Sequence, residues 1–216
     1  MNKLKKSLES SQDSSSESHS KQDNLKQILL ETATQLFAQK GYEGVSLRTL
    51  CAQANVSLPM VAYYFGNKAG LYKAVLEELT NFFNAELTKE DWEHVEPGQK
   101  LRRYLDVAVR VHMLNPAFSG VFGHEAWPSD VLLQVMKSKG NRYFGDFIAS
   151  FLEEEQKLGL IKDDIEPLLA ARIIAALFNS HPTISNLYES FYNTAPEREK
   201  ILNAVKEFCL RALEKE

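Results

Sequence analysis

The stretch Ser46-Leu47-Arg48-Thr49-Leu50-Cys51-Ala52-Gln53-Ala54-Asn55-Val56-Ser57-Leu58-Pro59-Met60-Val61-Ala62-Tyr63-Tyr64-Phe65 decides the fold. Ser46 stands just before Leu47, Leu50 and Cys51, which recur at helical spacing, and its hydroxyl can cap the helix they form. Ser57 can cap a second helix, with Pro59 in the first turn, where a missing N–H is harmless. Asn55 sits between them. Asn tolerates positive φ better than a bulky residue, and a three-residue turn between two sharply crossing helices needs that conformation. The arrangement implied is a helix-turn-helix.

Working outward, Leu25, Ile28, Leu29, Ala33, Leu36 and Phe37 recur at three- and four-residue intervals and stop at Gly41, which predicts a helix over 24–40. A fourth helix is predicted from near Asn67, carrying Leu71, Tyr72, Val75, Leu76, Leu79, Phe82 and Phe83 and ending before the charged stretch Lys89 to Glu96. Leu101 to Leu114, Val131 to Leu158 and Ile165 to about Phe191 read as helical, with breaks or kinks at Asn115-Pro116, Trp127-Pro128 and His181-Pro182. The last helix opens on Thr194-Ala195-Pro196-Glu197, a capping-box spacing, and carries Ile201, Val205, Phe208 and Ala212. No alternating strand pattern occurs, so the chain is expected to be all-α.

Residues 1–23 hold eight serines and no aromatic residue, and ordering them would cost entropy that no burial offsets, so a disordered Ser-rich tail is expected there. The 216 residues, 44% of them apolar, suffice for one sizeable core. No apolar run reaches the roughly 18 to 20 residues that span a bilayer, Arg172 interrupting the longest. No apolar block follows the first lysines, so no secretory signal is expected and a cytoplasmic location is. Cys51 and Cys209 lie in apolar helical patterns without metal-ligand spacing, which predicts buried, reduced thiols. Segment 24–76 carries five Lys/Arg against two Glu, whereas 77–216 carries sixteen against twenty-three acids, so a basic module is joined to an acidic body.

The run Gly41-Tyr42-Glu43-Gly44-Val45-Ser46-Leu47-Arg48-Thr49-Leu50-Cys51-Ala52-Gln53-Ala54-Asn55-Val56-Ser57, continued by Tyr63-Tyr64-Phe65-Gly66-Asn67-Lys68-Ala69-Gly70-Leu71-Tyr72, resembles the DNA-binding domain of the TetR family of transcriptional regulators. The resemblance covers Asn24 to Leu76; the remainder matches only in size and helical layout. It implies a helix-turn-helix DNA-binding domain over 24–70, joined by the long fourth helix to a helical ligand-binding and dimerisation domain over 71–216. It further implies a double-stranded DNA operator, a homodimer formed through the last two helices, and an unknown small-molecule inducer that changes the spacing of the two heads. No cofactor and no membrane partner are expected.

In the third helix Val61 and Phe65, with Val56 before it, read as the inward side, and Leu58, Pro59, Met60, Ala62, Tyr63 and Tyr64 as the outward one. Exposing a Met and two Tyr needs a reason; the bland alternative is that the tyrosines pack under helix 1 or 4. By the resemblance, Tyr63 and Tyr64 contact DNA phosphate. Ser57 offers a hydroxyl and free N–H groups to a phosphate or serves as a cap only, Ser46 stands at the equivalent place on the second helix, and Lys68 adds positive charge. The third helix has no Lys or Arg. Readout from it would then use apolar contact of Leu58, Pro59, Met60 and Ala62 with thymine methyls, leaving guanine recognition to Arg48, for which a plain phosphate contact is the alternative. Lys3, Lys5, Lys6 and Lys21 are interleaved with acids, which favours a solvated linker over a DNA-binding arm.

In the body, Tyr104, His112, Phe122, Trp127, Tyr143 and Phe147 are the candidate ligand-binding residues, because the head has no room for a pocket; plain core packing is the alternative for each. The expected ligand is apolar or amphipathic, and its effect is expected to travel along the fourth helix from Phe82 and Phe83 to Lys68. The five histidines show no metal-ligand spacing, so no metal site is expected. Glu153-Glu154-Glu155 reads as a solvated helix face. The rival readings are an enzyme, for which no GxSxG, phosphate loop or HExxH occurs, and a helical protein-interaction module, which would lack salt-dependent affinity for duplex DNA.

Overall fold

The computed structural model describes residues 22–125, 130–137, 144–180 and 194–215. Residues 1–21 of the expected tail, Trp127, Tyr143 and the His181-Pro182 break lie outside these residues, while Gln22 and Asp23, the last two of that tail, are helical. The described chain is helical: α1 (22–40), α2 (Leu47–Ala54), α3 (Leu58–Phe65), α4 (Lys68–Leu87), α5 (Lys100–Leu114), α6 (Pro116–Gly123), α7 (Asp130–Lys137), α8 (Phe144–Lys157), α9 (Pro167–Asn179) and α10 (Ala195–Leu213). The one extended contact among the described residues is an isolated antiparallel bridge between Ile161 and Glu214.

Local chemistry sets the boundaries in the head. Gly41 ends α1 at φ 67°, and Asn55 ends α2 at φ 53° and ψ 45°. The Ser46 hydroxyl accepts the Thr49 N–H at 3.0 Å, and the Asn67 side chain accepts the Gly70 N–H at 2.9 Å. α1 is already helical at Gln22, two residues ahead of the apolar pattern, and Gln22 is held from outside: its carbonyl accepts the Tyr64 hydroxyl.

In the body, α5 touches α4, α6, α8 and α10, and contributes Leu101, Leu105, Val107 and Val111 to a core continuous with that of the head. α4 spans both layers, with Leu71, Val75 and Leu79 all buried. At its far end the buried Glu86 receives Arg110 Nε at 3.0 Å and pairs with Lys89, so α4 is locked to α5 by charge as well as by packing. The Lys89 hydrogen bond is the largest influence on the Glu86 carboxyl and, with Arg110, holds it below the usual range against the opposing effect of burial. α7 packs on α4, and α8 on α5 and α9.

The expected break at Asn115-Pro116 is present, and Pro116 opens a further helix, α6, whose Gly120 and Gly123 obscure the helical pattern. Two expectations need correction. The proposed face Glu153-Glu154-Glu155 is only two-thirds solvated, because Glu155 is buried and its carboxylate accepts the Lys100 N–H at 3.2 Å, serving from α8 the start of α5, whose own Gln99 makes no side-chain cap. α9 starts at Pro167, not Ile165, because the Glu166 carboxylate accepts the N–H groups of Leu168 and Leu169.

The glycines of α6 answer to close approaches. A Cβ on Gly120 would lie 2.7 Å from Ala38 Cβ and 2.8 Å from the Ala38 carbonyl oxygen of α1, and one on Gly123 would lie 2.7 Å from the Asn179 carbonyl oxygen of α9. Helix propensity alone favours Gly120→Ala by about 0.5 to 1 kcal/mol. The clash is with backbone and should outweigh that, giving a net loss of about 1 to 3 kcal/mol in urea denaturation. A stabilised variant would show that α6 does not press on α1.

Candidate DNA-reading face and ligand cavity

α3 is held to the rest of the head by little: only Val61 is fully buried, with Phe65 half-buried. Leu58 is 53% and Tyr63 71% exposed, and Pro59 and Ala62 are exposed as well. Met60 and Tyr64 depart from the expected outward set by being half-buried. Tyr64 gives its hydroxyl proton to the Gln22 carbonyl at 3.0 Å and turns its ring against Tyr63, centroids 5.0 Å apart. That donor would have to leave α1 before it could serve a phosphate. Tyr63 has no hydrogen-bond partner among the described residues and keeps its hydroxyl for an outside one.

Ser57 precedes α3 in extended conformation and makes no side-chain cap bond, so its hydroxyl is not consumed locally; Ser46 spends its acceptor on the Thr49 cap. Arg48, the second residue of α2, is exposed. Lys68 opens α4 and places Nζ 4.2 Å from the centroid of the Tyr42 ring. A cation on the first turn of a helix opposes the helix dipole and costs a few tenths of a kcal/mol, a local penalty that an anion bound there would reverse.

In the body a cavity of about 40 Å³ lies between α4, α5, α6 and α9. It brings together Tyr104, His112 and Phe122 from the predicted set, and adds Phe83, Phe118 and Phe178. Phe83, not Phe82, is the α4 residue on its wall. Phe147 is elsewhere: its ring meets Trp92 at 5.4 Å and Phe151 at 4.5 Å in a cluster beside α8, because the indole, anchored through Nε1 on the Leu87 carbonyl, supplies a larger apolar partner there. Asn179, also on the wall, escaped sequence reasoning; a lone amide closing the apolar run Leu168 to Phe178 was the available signal. Among the described residues no group of three or more His, Cys, Asp and Glu could hold a metal ion.

His112 is buried, with Nδ1 2.7 Å from the Ala108 carbonyl oxygen and Nε2 3.3 Å from Asn179 Oδ1. Burial pushes its imidazole below the ordinary value, and pushes the Tyr104 phenol above its own. The aromatic walls are in contact: Phe118 lies 4.6 Å from Phe122, 5.7 Å from Phe83 and 5.1 Å from His112, centroid to centroid.

The cavity wall is also a head contact. α6 carries Phe118 and Phe122 on the cavity and Gly120 against Ala38 of α1. Just beyond α6, His124 reaches within 3.3 Å of a Cβ built on Gly41, and Glu125 accepts the Tyr72 hydroxyl of α4.

The family model of bacterial regulatory proteins of the tetR family matches residues 29–75, the span from α1 to the middle of α4. The transcriptional repressor NicS of Pseudomonas putida is 25% identical over 199 residues, covering 88% of this chain and 93% of the relative. The transcriptional regulator RutR of Escherichia coli K12 is 31% identical over 97 residues, covering 45% of each. A crystal structure of a tetR-family regulatory protein from Rhodococcus RHA1 superposes with a TM-score of 0.69 at 18% identity over 89% of this chain and 98% of the other, a likeness of fold.

The two tyrosines of α3 should separate in stability. Tyr64→Phe removes the bond that ties down the first turn of α1 and is expected to cost about 1 kcal/mol in denaturant unfolding, with faster amide exchange at the start of α1. Tyr63→Phe should leave stability within about 0.5 kcal/mol of the parent. Equal effects would remove the distinction between an anchored and a free hydroxyl.

Proposed function

We propose that the chain, whose residues 29–75 match the tetR family model, is a DNA-binding transcriptional regulator of that family rather than an enzyme, a homodimeric cytoplasmic repressor released from its operator by a small molecule that enters the cavity beside α6. The observation that carries the regulatory half is the double contact of α6, whose phenylalanines wall the cavity while its glycine edge and C-terminal residues rest on the head. No helix among the described residues is long and apolar enough to cross a membrane.

On DNA, Ser57 with the N–H groups starting α3, Tyr63, and Lys68 with the start of α4 hold phosphates and fix the register. Leu58, Pro59 and Ala62 meet thymine methyls, with Met60 reaching them from its half-buried place. Arg48 either reads guanine or takes a further phosphate. Tyr64 serves by holding α1 against α3, and Ser46 by capping α2. The acidic body is repelled by the duplex and favours approach through the head.

Dimerisation uses the free faces of α9 and α10. Leu169, Ile173 and Ala176 on α9 and Ala204, Phe208 and Ala212 on α10 are exposed, and their small residues let a symmetry mate approach closely. Val205, expected on that surface, is half-buried against the chain's own core, and Leu202, Cys209 and Leu213 are buried in it, because α10 spends that side on its own chain. A dimer would present two copies of α3 to the duplex, as an operator with two half-sites requires.

Two sets of variants test this reading on operator fragments recovered by mapping the protein's genomic sites. Tyr63→Phe and Lys68→Ala should weaken binding to every duplex alike, the lysine change also lowering the salt slope by about one unit, while Arg48→Ala as a base reader should relax preference at one position by about 1 to 3 kcal/mol. Uniform loss for Arg48→Ala assigns it to phosphate.

Phe208, 63% exposed on one copy, would be central to the dimer. Phe208→Glu should cost about 2 kcal/mol or more per copy, dissociate the dimer in sedimentation and weaken operator binding with the head untouched. An unchanged dimer would move the interface elsewhere.

A further inference from the structure

The cavity's polar groups define a ligand class, an inference that rests on the reading of the cavity as the effector site. No Lys, Arg, Asp or Glu is among the described residues lining it, so an ion entering would lose hydration with no opposite charge to meet among them. Its polar side chains are Tyr104, His112 and Asn179.

Their hydrogen-bonding states follow from their partners. The Ala108 carbonyl can only accept, which fixes the imidazole proton of His112 on Nδ1. Burial keeps the ring neutral near pH 7, which leaves Nε2 a bare lone pair. The Asn179 amide, whose two ends are alike in shape, then satisfies Nε2 with its NH2 group. Tyr104 is buried and makes no hydrogen bond among the described residues, so its hydroxyl is a donor without an acceptor. The site therefore presents one donor, one lone pair and an amide that can turn to be either.

The surrounding rings set the shape. Phe83 and Phe118 stack with planes 25° apart, and Phe122 and Phe178 close the remaining sides. At about 40 Å³ the space suits a water or two rather than a ring, which needs on the order of 150 Å³. Phe122 is half-buried, unlike Phe83, Phe118 and Phe178, so the cavity approaches the surface on its side.

We propose that the cavity takes an uncharged, planar, single-ring molecule bearing one N–H or O–H donor and one carbonyl or ring-nitrogen acceptor. The acceptor receives the Tyr104 hydroxyl. The donor goes to His112 Nε2, displacing the Asn179 amide, and the aromatic walls part to admit the ring.

A panel of one-ring probes at millimolar concentration tests this on the full chain, by saturation-transfer NMR and calorimetry: benzamide, toluene, benzoate and benzylammonium. Benzamide should bind tightest, about tenfold over toluene, with both ions weaker than toluene. Tyr104→Phe, which keeps the ring and its packing, should cut benzamide about tenfold and leave toluene within about twofold. Benzoate binding as tightly as benzamide, or benzamide unaffected by Tyr104→Phe, overturns the ligand class while leaving the cavity as effector site. If neither toluene nor benzamide binds, the effector-site reading itself falls.

Discussion

The contact on which the rest of the molecule depends is the fit of α6 between α1 and α9. Gly120 and Gly123 let an eight-residue helix approach the Ala38 carbonyl on one side and the Asn179 carbonyl on the other, closer than any side chain would permit. Packed interiors respond to displacement by switching arrangement rather than by yielding continuously. A movement of Phe122 would therefore reach Ala38, Gly41 and Tyr72, whose contacts lie in α1, the turn after it and α4. α4 alone, with Phe83 at the cavity and Lys68 in the head, offers a second route. It is the stiffer one, since Arg110 and Lys89 clamp its far end at Glu86.

The head breaks local rules where it would meet DNA. A surface helix normally hides its apolar side chains, yet α3 leaves Leu58 and Tyr63 in water and buries only Val61 completely. Ser57 withholds the cap that its residue type predicts, and Lys68 stands at the wrong end of a dipole. Sequences that fold well are locally consistent, and violations gather at functional sites. On the proposed reading all three would be relieved by one event, the arrival of a polyanion with apolar base edges against the face of α3.

The parts of the fold that were legible in the sequence are those governed by neighbours in the chain. Ser46, Asn55, Gly41 and the Thr194 to Glu197 box act within four residues of themselves, and each does what its type predicts. What escaped was decided by distant partners. α6 carries two glycines that count against a helix until α1 and α9 are seen beside them. Glu155 reads as solvent-facing until the start of α5 is placed over it, and Tyr64 as a phosphate donor until Gln22 comes within reach. For the cavity, residue type was informative enough to find Tyr104, His112 and Phe122. Phe147 obeys the same pattern, and its assignment to the Trp92 cluster depends on a turn outside any helical period.

The size of the cavity also constrains how regulation can work. A space of about 40 Å³ admits no ring, so a ligand of ring size could bind only to a conformation other than the one described here. A ligand shifts an equilibrium only by its differential affinity for the two states, and a site closed in one and open in the other makes that difference large. The opening has to come from the walls. α4 and α5 are fastened by the Glu86 charge cluster and by Glu155 at the start of α5, whereas α6 is short, rich in glycine and bears the half-buried Phe122. The wall seated on the head is α6, so a conformation that opened there could not leave the contacts of Ala38 and Tyr72 as they are.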